Sequence, residues 1–360
     1  MLPKNINDII IQPFFYNEMY NNNKITVSNE CNTPYMSYSL INYYNVLKQQ
    51  IDTITINNHK HQIYQNDDDK FTLLCNITNS HHYIYSTITG KETTISNLDI
   101  KNYIFYDLFE LLFHLNIKDC IKDPTNLNIG YFTNHFFDLT ECFKIYMNNY
   151  SNEYTIYNHL FNSNKELEKE FDLGFFQLDE NKNITDILEI LLIIIKRQTN
   201  GGNMIIQIGD INKKMIVDII YLLSSLYDKL YICKPSTSNL LNNHKYIVCK
   251  SFIKKQPNLD ANINIIYSCL SNKNVKSLFN YDIPYYFKNK INEINIIIGQ
   301  QQLEIMEQII SIYKSKNKDD KIEALIKNNI QNSINWCEKH KIPYNKLFDK
   351  SRNIFHQIQV

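Results

Sequence analysis

Two lysine pairs, Lys213-Lys214 and Lys254-Lys255, stand with Lys234, Lys250, Tyr231 and Tyr246 where alternating apolar runs place the ends of central strands. Ammonium groups beside aromatic rings can hold a phosphate backbone while bases stack, so these six lysines are candidate RNA contacts. The plainer reading is solvated helix starts and strand ends. Four histidines (His59, His61, His81, His82) lack a carboxylate or thiol at ligand spacing, so they read as surface or turn residues and no metal is expected. The cysteines at 31, 75, 120, 142, 233, 249, 269 and 337 form no CxxC pair and read as reduced, mostly buried thiols of an intracellular protein.

The elements that would carry these residues follow from periodicity. Residues 1–98 form a polar, Asn-rich extension of expected α+β character. Within it "DTITI" (52–56) and "HHYIYSTIT" (81–89) alternate like strands around an acidic "NDDD" turn at 66–69. Residues 99–255 alternate helix and strand. Ile104, Leu108, Leu111, Leu112 and Leu115 make one helical stripe. Strands follow at 125–132, 153–161, 169–179, 203–210, 229–235 and 244–252, and an apolar helix over 183–198 is expected to close at Gly201-Gly202. This predicts a mostly parallel sheet with helices on both faces, the last two strands forming an antiparallel edge hairpin. Residues 256–360 read as mainly helical and packed on this core, with Trp336 anchoring the last helix.

Bulk composition narrows the partners. The 360 residues hold 37 Lys+Arg and 37 Asp+Glu, so no overall basic field draws nucleic acid and any RNA contact must be a local patch. No basic flank precedes an apolar segment at the N-terminus, and the most apolar stretch (187–195) falls short of the roughly 20 residues that span a bilayer. A soluble protein is expected.

The run at 201–252 presents Gly201, Gly202, Asp210, Lys234, Pro235, Ser238, Asn242, Lys245, Tyr246, Val248 and Cys249 in order. In this it resembles the FtsJ-type RNA ribose 2′-O-methyltransferases, most closely the cap-methylating branch of large DNA viruses, with weaker similarity back to about residue 100. The resemblance implies a Rossmann-like S-adenosylmethionine methyltransferase sheet. It also implies a Lys-Asp-Lys-Glu set that removes the proton of a ribose 2′-hydroxyl. The four family positions fall on Asp107, Gln177, Gln207 and His244, and all four depart from the pattern. A neutral amide has no useful proton affinity, so Gln207 cannot act as the base. The family's glycine turn after the first strand is replaced by "NIGYFTNHFFD" (128–138), with Gly130 the only glycine and Tyr131 and Asn134 filling it. With Asp179, these residues are at most a vestigial cofactor site, and no cofactor is expected.

Two readings follow. The favoured one is a degenerate methyltransferase-fold protein of viral origin, in the host cytoplasm or the virion. It would serve as a scaffold, an RNA-binding surface or a partner subunit in mRNA capping or processing. The alternative is an active S-adenosylmethionine-dependent cap 2′-O-methyltransferase with rearranged residues, Lys213, Lys214 or Lys234 as base and Asp179 as acid.

Overall fold

A computed structural model describes residues 10–15, 37–60, 65–88, 93–117, 126–132, 136–147, 153–158, 170–177, 184–253, 259–271 and 276–346. Seven strands form one sheet: β1 (Ile10–Phe15), β2 (Asn126–Phe132), β3 (Glu153–Asn158), β4 (Phe171–Gln177), β5 (Gln198–Ile208), β6 (Tyr227–Lys234) and β7 (Lys245–Phe252). Their order is β1-β6-β7-β5-β4-β2-β3. Strands β3, β2, β4 and β5 run parallel, and β7 is inserted antiparallel between β5 and β6. From β2 the chain moves outward to β3 and then returns to β4 on β2's other side, which makes the β2/β4 boundary a topological switch point. This is a Rossmann-like methyltransferase sheet, with the expected hairpin at β6–β7. Strand β1, from the N-terminal extension, takes the outermost place beside β6, where Pro13 is tolerated because an edge strand has a side free of ladder bonds.

Helices cover both faces, as alternate side chains on each strand require. Met204, Ile206 and Ile208 of β5 point to the face covered by α5 (Ile184–Arg197), α6 (Lys214–Leu226) and α7 (Leu259–Ser271). Ile205 points to the other, under α3 (Tyr103–His114), α4 (Phe136–Met147) and α9 (Lys318–Lys339). The 29-residue α8 (Tyr285–Tyr313), about 44 Å long at 1.5 Å per residue, packs its first half on one face through Ile291 and Ile294. Its second half reaches the opposite core through Ile305 and Ile309. Between them it passes the carboxyl end of β5, where Asn295 donates to the Ile211 carbonyl at 3.4 Å.

The N-terminal extension differs from the strands expected of it. Residues 52–56 lie inside α1 (Tyr38–Lys60), residues 66–69 open α2 (Gln65–Ile77) instead of forming a turn, and 82–84 form a 3₁₀ turn. The alternation in "DTITI" is overruled by a longer period. Leu40, Tyr44, Leu47, Ile51 and Ile54 recur at helical spacing and pack along α8.

The glycine pair also lies elsewhere than expected. Helix α5 stops at Arg197 and β5 begins at once, so Gly201-Gly202 sits inside the strand. There five steps of β5 (Gln198 to Asn203) oppose two of β4 (Phe171 to Leu173), a large bulge. Gly201 has φ 86°, a left-handed conformation. Gln198 fills the bulge, donating to the Asn203 carbonyl at 3.0 Å and accepting from the Tyr227 hydroxyl at 3.1 Å. A Cβ on Gly202 would stand 2.4 Å from the Gln198 amide nitrogen and 2.9 Å from the Asp172 carbonyl oxygen, whereas one on Gly209 would meet nothing within 4 Å. Gly202→Ala should therefore cost more than about 1 kcal/mol and visibly lower the thermal midpoint, with Gly209→Ala close to neutral. Equal midpoints for the two variants would refute this account of the bulge.

Candidate functional site

The sheet gathers the four positions of the resemblance at one place. Gln177, Gln207 and Tyr246 are register partners across β4, β5 and β7, on the face that lies under α3. His244 precedes Tyr246 by two residues, and its ring stacks on Tyr103 of α3 with centroids 6.3 Å apart. Asp107, one turn further along α3, accepts the Tyr246 hydroxyl at 2.9 Å. Alternation makes this possible, since every second residue of β5 must face α3 and Gln207 follows Ile205 by two.

No lysine stands at any of these four positions. Gln207 is 1 % exposed, and neither its amide oxygen nor its nitrogen has a hydrogen-bond partner among the described residues. Asp107, fully buried, also accepts from the Thr237 hydroxyl at 2.5 Å. Burial raises its pKa to about 7, opposed by the Thr237 and Tyr246 hydrogen bonds and the Lys234 charge, and helped by Glu110.

Glu110, three residues on, completes the arrangement. It accepts from the Ser236 hydroxyl at 2.9 Å, from the backbone N–H groups of Ser236 at 3.2 Å and Thr237 at 3.3 Å, and from the Trp336 indole at 3.3 Å. Its pKa too is raised, chiefly by burial. His81 approaches the Ser236 carbonyl at 3.0 Å and Asn79 donates to the Thr237 carbonyl at 2.8 Å. The turn after Lys234-Pro235 is thus held by α3, by the segment after α2 and, through Trp336, by α9. Glu110, Thr237, Tyr246, Asn79 and His81 were not singled out from sequence as parts of this site. A usable signal was present: two carboxylates three residues apart on an otherwise apolar helix need buried partners.

Three of the six candidate RNA lysines are corrected by burial. Lys214 is enclosed with Asp218 at 3.3 Å, Ser277 and the Phe279 carbonyl. Lys234 donates to the carbonyls of Asn242 at 2.8 Å and His244 at 2.7 Å. Lys250 donates to the Leu115 carbonyl. Each ammonium replaces lost water with carbonyl, hydroxyl or carboxylate acceptors, so none presents itself to a phosphate. Lys213, just before α6, is exposed. Lys254 and Lys255 lie outside the described residues, as do Asn134 and Asp179.

Gly130 lies within β2 instead of the turn after it. It pairs with Gly174 of β4, and the Phe171 ring lies over both. Phe132 stacks on Phe176 with centroids 4.1 Å apart, and the Tyr131 hydroxyl donates to the Leu139 carbonyl at 2.5 Å. The glycines here admit aromatic rings. Among the described residues no three His, Cys, Asp or Glu side chains form a metal-holding group, and no helix is long and apolar enough to cross a membrane.

No protein-family model matches the chain. Over 160 residues it is 29% identical to an uncharacterized protein of Acanthamoeba polyphaga mimivirus, covering 44% of each. Over 165 residues it is 28% identical to cap-specific mRNA (nucleoside-2′-O-)-methyltransferase 1A of Caenorhabditis briggsae, covering 41% of this chain and 19% of that protein. The same organism's protein named inactive cap-specific mRNA (nucleoside-2′-O-)-methyltransferase 1B is 27% identical over 165 residues, 41% of this chain and 20% of that protein. The chain has homologues among the cap-specific mRNA 2′-O-methyltransferases. It is a methyltransferase-like protein, and the match spans less than half of the mimivirus relative and about a fifth of the two nematode proteins' length.

The buried pair sets a pH dependence. An acid whose folded pKa exceeds its unfolded value binds more protons in the folded state, so its contribution to stability falls as pH rises between the two values. For Asp107 that window runs from 3.8 to about 7. Buried His81 and half-buried His82 and His114, with pKa values lowered to about 4 chiefly by desolvation, work in the opposite sense, which makes the difference between proteins the useful quantity. Asp107→Asn should gain stability relative to the parent as pH is raised from 5 to 8, by an amount of the order of 1.4 kcal/mol per unit of lost shift. Thermal melts of both proteins across that range would show a constant gap if the assignment is wrong.

Proposed function

We propose that this methyltransferase-like protein is catalytically silent and serves as a non-catalytic subunit or scaffold in mRNA capping or processing. Gln207 carries the reading. The family's proton acceptor is a lysine on this strand, and a buried neutral amide stands here instead, so nothing at that position can take a proton from a 2′-hydroxyl near neutral pH. Support also comes from Asp107, whose oxygens accept from Thr237 and Tyr246. It is an acceptor where the family has a cation.

The rearranged-enzyme alternative needs Lys213, Lys214 or Lys234 as base. Lys214 lies on the opposite face of the sheet with α6, and the protons of Lys234 are directed at two backbone carbonyls. Lys213, just before α6, is exposed. It supports RNA contact better than proton transfer. The mimivirus relative favours a viral setting, either the host cytoplasm or the virion, with RNA or an RNA-processing protein as partner.

Calorimetric titration with S-adenosylmethionine, run beside methyl transfer to capped RNA, tests the proposal. The expected results are no saturable binding tighter than about 1 mM and no transfer above background. Micromolar binding with turnover would overturn it.

A further inference from the structure

A cavity of about 220 Å³ lies outside the carboxyl end of β5, between that strand end and the helices α1 and α8. It is separate from the Gln177/Gln207/Tyr246 row, which faces α3, and from the β2/β4 switch point two strands away. Its outer walls come from α1 and α8, which lie beyond the region of about residues 100–252 over which the methyltransferase resemblance runs. The cavity therefore belongs to this chain's added helices as much as to the shared sheet.

The helices are fitted around it. Gly299 of α8 lets α1 come close, since a Cβ there would stand 2.7 Å from a methyl of Leu40. Leu47 then packs with Leu303, Met306 and Ile310 one to three turns on, and Tyr43 donates to Glu307. Gln302 ties α8 to the floor, donating to the Leu241 carbonyl at 3.3 Å and the Asn243 side-chain oxygen at 3.1 Å.

The lining divides into two chemistries. Leu40, Ile41 and Leu303 supply an apolar wall, while Asp210 and Asn212 supply acceptors on the floor. The Asp210 carboxylate is loosely held. Its nearest donor is the Asn243 amide at 3.4 Å, and Lys245 stands 3.9 Å away, beyond hydrogen-bond reach, with its own ammonium donating to the Asn243 carbonyl at 3.1 Å. The Asn212 side-chain oxygen is buried without a partner among the described residues. A carboxylate has about four acceptor sites, and at Asp210, whose side chain is 44 % exposed, protein donors fill few of them and solvent that a ligand can displace fills the rest. Among the described residues the lining holds one carboxylate and no cation.

From this geometry we infer that the cavity is a binding site for a small organic cation, an ammonium or guanidinium head on an aliphatic stem. The head's N–H groups would meet Asp210 and Asn212, and the stem would lie on Leu40, Ile41 and Leu303. The volume suits a short diamine or guanidinoalkyl amine. Such a ligand would also bridge α1 to the strand end, so binding would stabilise the docked position of α1.

The test uses the full chain with agmatine and putrescine as probes and 1,4-butanediol as the uncharged control, read by calorimetry and by thermal midpoint. Saturable binding of agmatine or putrescine tighter than about 1 mM, with the diol inert, is the expected result. Asp210→Asn keeps the shape and removes the charge, so it should weaken binding by about tenfold or more. Asn212→Leu should weaken it too, and provides a second reading if the first variant folds poorly. Asp228→Asn, at the opposite end of the sheet, should bind as the parent does. Absence of saturable binding, equal binding of the diol, or undiminished binding by both cavity variants would each overturn the site. None of these outcomes bears on methyl transfer, so this inference and the silent-enzyme reading fail independently.

Discussion

Burying two carboxylates three residues apart on one apolar helix is the constraint around which the centre of this molecule is arranged. Asp107 and Glu110 cannot be left unsatisfied away from water, because an unpaired buried acid costs several kcal/mol or surrenders its charge. Thr237, Tyr246, Ser236 and Trp336 supply the donors. Those donors come from the turn after β6, from β7 and from α9, so satisfying one helix fixes the relation of three distant parts of the chain. The same requirement commits both carboxylates of α3 as acceptors inside the core.

The helices at the two chain ends act together at another place. α1 and α8 run alongside one another with Gly299 allowing the close approach, and α8 passes from one face of the sheet to the other across the carboxyl end of β5. This is the edge of an open α/β sheet where ligands ordinarily gather. A helix laid over it narrows what can reach the strand ends and creates a smaller cavity with its own lining. The covering helices, more than the sheet, set the chemistry available at that edge.

Much of the core was legible in the linear pattern. The stripe Ile104, Leu108, Leu111, Leu112 and Leu115 is buried as its spacing requires, and the centres of β5, β6 and β7 (Met204–Ile206, Leu230–Cys233 and Tyr246–Cys249) are short apolar runs because both their faces are covered. The N-terminal helices were misread for a physical reason. The strand-like alternation of 52–56 covers five residues, and the helical stripe from Leu40 to Ile54 that overlaps it covers fifteen, so the longer period decides. Gly201-Gly202 was misread as a helix end because a glycine pair after an apolar helix usually is one, and the opposing Asp172 carbonyl that demands glycine at 202 comes from another strand.

The linear order alone determined that a neutral amide, Gln207, stands in the strand that follows the glycine pair, because side-chain identity needs no coordinates. It also determined the alternation of helix and strand, since apolar period follows from burial of one side of each element. Only the tertiary structure decided that Lys214, Lys234 and Lys250 turn inward to acceptors. A lysine's four-carbon stem lets the same residue serve surface or interior, and the choice depends on carbonyls supplied by segments up to 135 residues away.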